Sequence, residues 1–153
     1  MGLFPFFKKK EFFSVQDKEQ IVQAIRMAEK ETSGEIRIYV ESKNPYVDPI
    51  DRAAKIFFKL KMHKTEHRNG VLLYIAMKHQ ELALFGDEGI YEKAGADYWN
   101  NAVKNMIAQF TKDNISNGIE QCIRQIGETL KEKFPYSPTD DKNELPDEIV
   151  FGK

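Results

Sequence analysis

The most informative segment of the chain is an almost continuous apolar run, Gly70-Val71-Leu72-Leu73-Tyr74-Ile75-Ala76-Met77. A strand without polar alternation is typical of the middle of a sheet that helices cover on both faces. The turn Lys78-His79-Gln80 follows, and residues 81–85 then predict a strand that returns antiparallel to the first. These two strands predict a hairpin inside a helix-covered sheet.

Upstream of the hairpin, the sequence predicts a helix, a strand and a second helix. Ser14 occupies an N-cap position before apolar residues that recur at helical spacing. Gly34 fits the left-handed position after the end of that helix. The segment Glu35–Glu41 alternates with period two, which predicts a strand with one buried face. Asp48 followed by Pro49 is typical of the start of another helix.

Downstream of the hairpin, two further helices are predicted, with apolar faces within residues 99–110 and 119–130. From Phe134 onward, prolines and five acids against two lysines interrupt the pattern, which is typical of a disordered segment. We therefore predict a Phe- and Lys-rich arm over residues 1–13, an ordered domain over 14–134 and a disordered acidic tail over 135–153.

The predicted element order is α-β-α-β-β-α-α. Its β-α-β unit should cross over with right-handed connectivity. A small mixed sheet with helices on both faces follows from this order. The predicted fold class is therefore α/β, a Rossmann-like three-layer helix-sheet-helix sandwich.

Composition describes a globular domain and excludes several classes of function. The 153 residues correspond to one domain, and 41% hydrophobic residues suffice for one core. A net charge of −1 gives no basic field for nucleic acid, and a single cysteine excludes an internal disulfide. No apolar run approaches the roughly 20 residues of a membrane span. A P-loop, a nucleophile elbow and a dinucleotide fingerprint are all absent from the sequence.

Five oxygen-bearing side chains are predicted to converge at one edge of the sheet. If the strands at 35–41 and 70–77 are parallel, their starts share that edge, and the hairpin returns the third strand to it. The converging side chains are Glu35, Asn69, Asp87, Glu88 and Glu92. Carboxylate and amide oxygens suit Ca²⁺ or Mg²⁺. A simpler interpretation is that Asp87 caps a short turn while Glu88 and Glu92 face solvent.

Three other polar groupings rank lower. They are Glu41 with Asp48 and Asp51; His63 and His67 with Glu66; and Asp113 with Asn117 and Glu120. Helix capping explains the aspartates of the first grouping. A solvated loop accounts for the second grouping no less well than a zinc site does. The third lacks the oxygen ligands of an EF-hand at its third and twelfth positions. Cys122 is predicted to pack in the core rather than to act as a nucleophile.

The amino-terminal arm has two interpretations. Five Phe and the triplet Lys8-Lys9-Lys10 lie within the first 13 residues. Such a segment could contact an anionic membrane surface weakly, or it could pack one or two Phe on the core, which we favour. The charge follows the first apolar residues rather than preceding them, so the arm does not have the order of a secretory signal. We expect a cytoplasmic monomer.

Three motifs of the sequence resemble the TPM domain family, which is named after a thylakoid acid phosphatase and a photosystem II repair protein. They are Ser33-Gly34-Glu35-Ile36; Arg68-Asn69-Gly70-Val71-Leu72-Leu73-Tyr74-Ile75-Ala76; and Phe85-Gly86-Asp87-Glu88-Gly89-Ile90. The resemblance covers residues 14–134, and the third motif with Trp99 looks like the soluble bacterial branch. It implies a helix-sheet-helix sandwich that binds Ca²⁺ or Mg²⁺ at acidic loops.

In some members the resemblance also implies metal-dependent hydrolysis of phosphomonoesters. In that case Asp87 and Glu88 would be metal ligands, with Asn69 a ligand or a phosphate donor. Arg68 would clamp phosphate oxygens, and His67 would supply acid–base help near neutral pH. The alternative is a non-catalytic, metal-stabilised module for a membrane surface or a protein partner. A structural domain without an ion is the third possibility.

Overall fold

The computed structural model describes residues 13–46, 48–110, 115–136 and 149–152. Within these ranges the chain forms five helices and four strands. In chain order they are α1 (Val15–Glu29), β1 (Glu35–Glu41), α2 (Pro49–Lys59), β2 (Gly70–Ala76), β3 (Glu81–Gly86), α3 (Glu88–Ala94), α4 (Ala96–Phe110), α5 (Ile115–Lys133) and β4 (Ile149–Phe151).

The strands form one mixed sheet in the order β3-β2-β1-β4. β1 is parallel to β2 and to β4, whereas β3 runs antiparallel to β2. The larger hydrophobic cluster includes side chains of α1, α5 and one sheet face, and α2 covers the other face over β2 and β3. This arrangement confirms the predicted helix-sheet-helix sandwich.

The predicted helix starts are confirmed. The side chain of Ser14 accepts from the N–H of Asp17, and Asp48 accepts from Ile50 N at 3.0 Å, with Pro49 in the first turn of α2. Each side-chain oxygen satisfies an N–H that the helix itself leaves without an acceptor. Local sequence alone is therefore sufficient to set where α1 and α2 begin.

The burial of β1 differs from its prediction. All seven residues are buried, although alternate residues are charged or aromatic. Ile36, Ile38 and Val40 belong to the larger cluster, and Tyr39 belongs to the smaller one. The prediction of one exposed face was wrong because α2 covers part of the second face: Tyr39 shares the smaller cluster with residues of α2, and Glu41 pairs with Arg52 of α2.

The end of the chain also differs from its prediction. β4 pairs with β1 through Ile38–Ile149 and Val40–Phe151, so a disordered tail was wrong for residues 149–151. Pro135 forms an isolated bridge with Thr32. The rest of the predicted tail, residues 137–148, lies outside the described residues, as do residues 1–12 of the predicted arm. Phe13, the last residue of that arm, is buried in the larger cluster.

The loop between α1 and β1 is fixed by the end of α5. The hydroxyl of Thr32 bonds to the carbonyl oxygens of Leu130 and Phe134, and it accepts from the N–H of Gly34. Gly34 is not left-handed, so that prediction was wrong. A Cβ at Gly34 would overlap the side chain of Leu130, and close packing is the reason for a glycine there.

Candidate functional site

The register of the sheet places three predicted loops side by side. Glu35 is the partner of Gly70 across β1 and β2, and its N–H donates to the carbonyl of Asn69 at 3.3 Å. On the other side, the N–H of Asp87 donates to the carbonyl of Gly70 at 2.9 Å. The amino ends of β1 and β2 and the carboxyl end of β3 therefore form one edge, as the β-α-β geometry predicted.

Asp87 is a buried carboxylate with three donors. Its Oδ2 accepts from Nε of Arg68 at 2.7 Å, and its Oδ1 accepts from Nη2 of Arg68 at 2.8 Å. Oδ1 also accepts from the N–H of Glu88 at 2.8 Å, which makes Asp87 the N-cap of α3. The hydrogen bonds to Asp87 raise the pKa of the Arg68 guanidinium above its ordinary value. The expected cap is confirmed, although the capped element is a helix rather than a short turn.

The backbone of Arg68 orders the start of α3. Its φ of 52° is left-handed, which is uncommon for a residue with a side chain. Its carbonyl accepts from the N–H groups of Gly89 at 2.9 Å and Ile90 at 3.3 Å. A Cβ at Gly89 would overlap the carbonyl oxygen of His67, so a glycine is needed for this close approach. The first N–H groups of α3 are therefore already bonded within the protein.

Asn69 contributes a buried oxygen without a donor. The residue is fully buried; its N–H donates to Oγ1 of Thr65 at 3.3 Å, and its Nδ2 donates to Oγ of Ser33 at 3.2 Å. Among the described residues, none donates to its Oδ1. Buried polar atoms are seldom left in this state, and an ordered water or ion is one common explanation. The donor type, a neutral amide oxygen, fits a hard cation.

The other predicted site residues lie at the surface or have other partners. Glu35 is buried. Glu88 is exposed and accepts from Nη1 of Arg68 at 3.0 Å, while His67 and Glu92 are exposed. In the described ranges, no three Asp, Glu, His or Cys side chains are grouped so as to hold a metal ion. Glu35, Asn69 and Asp87 are thus the buried members of the predicted set, and hydrogen bonds to Ser33 and Arg68 hold the side chains of Asn69 and Asp87 at this edge.

The opposite edge of the sheet contains a polar network that sequence reasoning missed. Glu41 is buried, and its two oxygens accept from Nε and Nη2 of Arg52 at 2.8 and 2.9 Å. The hydroxyl of Tyr74 donates to the same carboxylate, and the ring of Tyr46 lies against the guanidinium of Arg52. The one signal in the sequence was a glutamate at the end of a buried strand.

In this network the carboxylate of Glu41 is bonded to Arg52 and Tyr74, and the predicted acidic group of Glu41, Asp48 and Asp51 does not form. Desolvation and the bond to Glu41 raise the pKa of Tyr74 above its ordinary value. Asp48 and Asp51 are exposed, and Asp48 is used as a cap. Glu41 has donors on both oxygens, as Asp87 does, but the side chain of its partner Arg52 is only 17% exposed, against 37% for Arg68. This edge therefore offers less to a ligand, although carboxyl ends of parallel strands commonly bind ligands.

The remaining candidates do not form sites. His63 packs its ring against Phe58, with centroids 5.1 Å apart, and His67 is exposed. Asp113 lies outside the described residues. Cys122 is buried in the larger cluster, and burial raises the pKa of its thiol to about 12, so it packs as predicted.

A natural reporter lies beside the site. Trp99 is the only tryptophan of the chain, and its ring packs where a Cβ of Gly86 would otherwise be. It also stacks on Tyr91 of α3, with ring centroids 5.9 Å apart. Because Gly86 directly precedes Asp87, a change at the carboxylate should alter the environment of this ring.

Known proteins resemble this chain in sequence and in fold. The family model of the TPM domain matches residues 7–129, which include every residue of the edge just described. The chain belongs to the TPM domain family. A comparison with curated proteins gives no significant match. In the described part of this TPM domain, no helix has the length and apolar character needed to cross a membrane.

Two solved structures are similar to this TPM domain. The NMR structure of the BA42 protein from the psychrophilic bacterium Bizionia argentinensis is 38% identical and has a TM-score of 0.86. That match covers 95% of this chain and 99% of that chain. The N-terminal domain of the cg2496 protein from Corynebacterium glutamicum is 13% identical, with a TM-score of 0.62 over 78% of this chain and 74% of that one, and shares the fold.

Proposed function

We propose that this TPM domain binds a divalent cation, Ca²⁺ or Mg²⁺, at the edge formed by Glu35, Asn69 and Asp87. The observation that carries the proposal is the buried Oδ1 of Asn69, which lacks a donor among the described residues. Membership of the family supports it, since metal binding is what the resemblance implied. Asp87 supplies buried negative charge one residue beyond β3, and Glu35 lies on the other side of Gly70.

The proposed ligands are the carboxylate of Asp87 and the amide oxygen of Asn69, with Glu35 as a third. Glu88 and Glu92 lie one turn apart on α3 and would contribute charge from the exposed side. Two or three protein oxygens leave room for water in the coordination shell, which is typical of Mg²⁺ sites.

Hydrolysis of phosphomonoesters is the activity that we propose for the loaded domain. A bound divalent cation neutralises phosphate charge and lowers the pKa of a coordinated water. Arg68, whose guanidinium is partly exposed, would hold phosphate oxygens, and His67 lies next to it at the surface. The name of the family, which refers to an acid phosphatase, favours this reaction.

The alternative is a non-catalytic module that the cation stiffens for a partner. One observation favours it: the guanidinium of Arg68 and the first N–H groups of α3 are bonded within the protein, which leaves no preformed cradle for phosphate among these groups. The partner would be a protein or an anionic membrane surface, the latter contacted through residues 1–13. Loss of binding on removal of that segment, with cation affinity unchanged, is the expected result.

The test of cation binding is a titration of the metal-free chain with Ca²⁺ and with Mg²⁺, followed by amide NMR and by the fluorescence of Trp99. Saturable shifts confined to Glu35, Asn69 and residues 87–92 are expected. Asn69→Ala should weaken binding at least tenfold. Asn44→Ala is the matched control, because Asn44 is also buried but its side chain has partners at the opposite edge.

A phosphomonoester assay on the same samples then separates the two functions. Turnover that requires the cation and is lost in Asp87→Asn supports hydrolysis. Saturable cation binding without turnover supports the module. Absence of any saturable shift with either ion would reject cation binding altogether.

A further inference from the structure

We propose that Arg68 occupies the place of the cation at Asp87 and is released when the cation binds, so that the cation creates a phosphate-binding group. This inference rests on the proposed cation site and concerns its regulation. It assigns the guanidinium two alternative partners, the carboxylate of Asp87, as in the structure, and a phosphate group once the cation is bound.

The two side chains of the ion pair differ in exposure, and this difference permits a cation to replace Arg68. The side chain of Asp87 is 4% exposed, whereas that of Arg68 is 37% exposed. The carboxylate cannot leave, but the guanidinium can swing into solvent. A buried carboxylate without a countercharge is strongly unfavourable, so Arg68 stays beside Asp87 until another positive charge takes its place. A divalent cation is such a replacement.

The backbone of Arg68 does not have to move for this exchange. Its carbonyl binds the N–H groups of Gly89 and Ile90, and its left-handed φ is held by these bonds rather than by the side chain. The remaining side-chain partner is Glu88, at 3.0 Å, and the side chain of Glu88 is 66% exposed. Exposed ion pairs contribute little, so Glu88 does not prevent release.

Release makes the guanidinium available where substrate would approach. Arginine has a planar fork of donors that matches the oxygens of phosphate, and in the structure that fork faces Asp87 instead. The cation should therefore raise the affinity for phosphate, and phosphate should raise the affinity for the cation by the same factor. A fixed clamp, in contrast, would bind phosphate with or without the cation.

The experiment uses the full chain, Mg²⁺ and inorganic phosphate, because calcium phosphate precipitates. The side-chain Nε–H signal of Arg68 is followed by NMR during the Mg²⁺ titration, and phosphate affinity is measured with and without Mg²⁺. We expect the signal to shift and to lose protection from exchange as Mg²⁺ saturates. We also expect phosphate affinity to rise at least about fivefold, the lower end of typical coupling between two sites.

Asp87→Asn is the decisive variant. Asparagine still caps α3 but carries no charge, so Arg68 should be free at all times. Without Mg²⁺ this variant should bind phosphate more tightly than the wild type does without Mg²⁺, and Mg²⁺ should have no effect on it. Asp48→Asn is the matched control, since the side chain of Asp48 also caps a helix, α2, at the opposite edge, and this change should leave the coupling unchanged.

The outcomes separate this inference from the proposed function. If Mg²⁺ and Ca²⁺ both fail to bind, the proposed function is wrong and the exchange with it. If Mg²⁺ binds saturably while the Arg68 signal and the phosphate affinity stay the same, the cation site stands and the exchange is rejected. The wild-type signal of Arg68 decides the matter even if the Asp87 variant does not fold.

Discussion

Arg68 and Asp87 face each other as a planar fork on a carboxylate, with N–O distances of 2.7 and 2.8 Å. The pair connects the turn before β2 to the first turn of α3. Because the carboxylate is buried and the guanidinium is partly exposed, removal of Arg68 has different consequences from removal of Asp87.

Replacement of Arg68 by Gln should destabilise the fold, because it leaves the buried carboxylate of Asp87 without its countercharge. Arg124→Gln is the comparison, since Arg124 forms an exposed pair with Glu120 one helical turn away. That surface pair should contribute no more than about 0.5 kcal/mol. Urea denaturation of both variants measures the difference. Equal urea midpoints for the two variants would contradict the larger contribution to stability that is expected of the Arg68–Asp87 pair. Added Mg²⁺ should narrow the gap if the cation can replace Arg68.

Replacement of Thr32 by Val should lower the free energy of unfolding by about 1–3 kcal/mol, chiefly the cost of leaving the N–H of Gly34 without its acceptor, since the carbonyls of Leu130 and Phe134 keep backbone donors. The hydroxyl bonds to carbonyls at the end of α5 and accepts from Gly34 N. Thr129→Val removes an exposed hydroxyl on the same helix and serves as the control. Urea denaturation measures both. A Thr32 variant as stable as the Thr129 variant would contradict this role.

The stability of the wild type should fall with rising pH above about 9 because of Cys122. Burial raises the pKa of the thiol to about 12 in the folded state, whereas the unfolded thiol ionises near its ordinary value. Between these two values the unfolded state has lost a proton that the folded state retains, which favours unfolding. The contribution is about 1.4 kcal/mol per pH unit.

Cys122→Ala isolates this effect from the tyrosines, which also titrate at high pH. The difference in unfolding free energy between wild type and variant should change with the stated slope from pH 9 to pH 11. A constant difference across that range would show that the thiol ionises normally in the folded protein. In the same window a thiol reagent should label Cys122 only after unfolding.

Replacement of Gly89 by Ala should disturb the contact between α3 and the loop before β2. The added Cβ would overlap the backbone carbonyl of His67, which cannot move without disrupting the turn. A loss of about 1–3 kcal/mol, typical of overpacking, is expected. Gly34→Ala should cost less, because its Cβ meets the movable end of the Leu130 side chain. Thermal denaturation of both variants tests the order. The reverse order would show that the turn adapts.

Much of the fold follows from local patterns, and the rest depends on distant contacts. The apolar run of β2 and the caps at Ser14 and Asp48 are local signals, and the structure confirms each of them. α3 was missed because it has seven residues and one buried apolar side chain, Ile90, which is too short for a periodic signal. β4 was missed because three residues gain their structure only from β1.

The same distinction between local patterns and distant contacts applies to the candidate site. Parallel strands bring Glu35, Asn69 and Asp87 to one edge, and the β-α-β order was sufficient to predict that. The partner of Asp87 was not predictable, since it depends on the left-handed backbone at Arg68. The bond between Glu41 and Arg52 likewise requires α2 to be placed against the sheet.

The pairing of β4 with β1 has a consequence for the order of folding. β1 lies in the middle of the sheet, but its second neighbour is made last in the described chain. Until Ile149–Phe151 leaves the ribosome, one row of N–H and C=O groups on β1 has no strand beside it, and such an edge is a template for pairing with other nascent chains. β4 therefore covers what would otherwise be an open edge of β1, and its pairing with a strand so distant in sequence is expected to slow completion of the sheet.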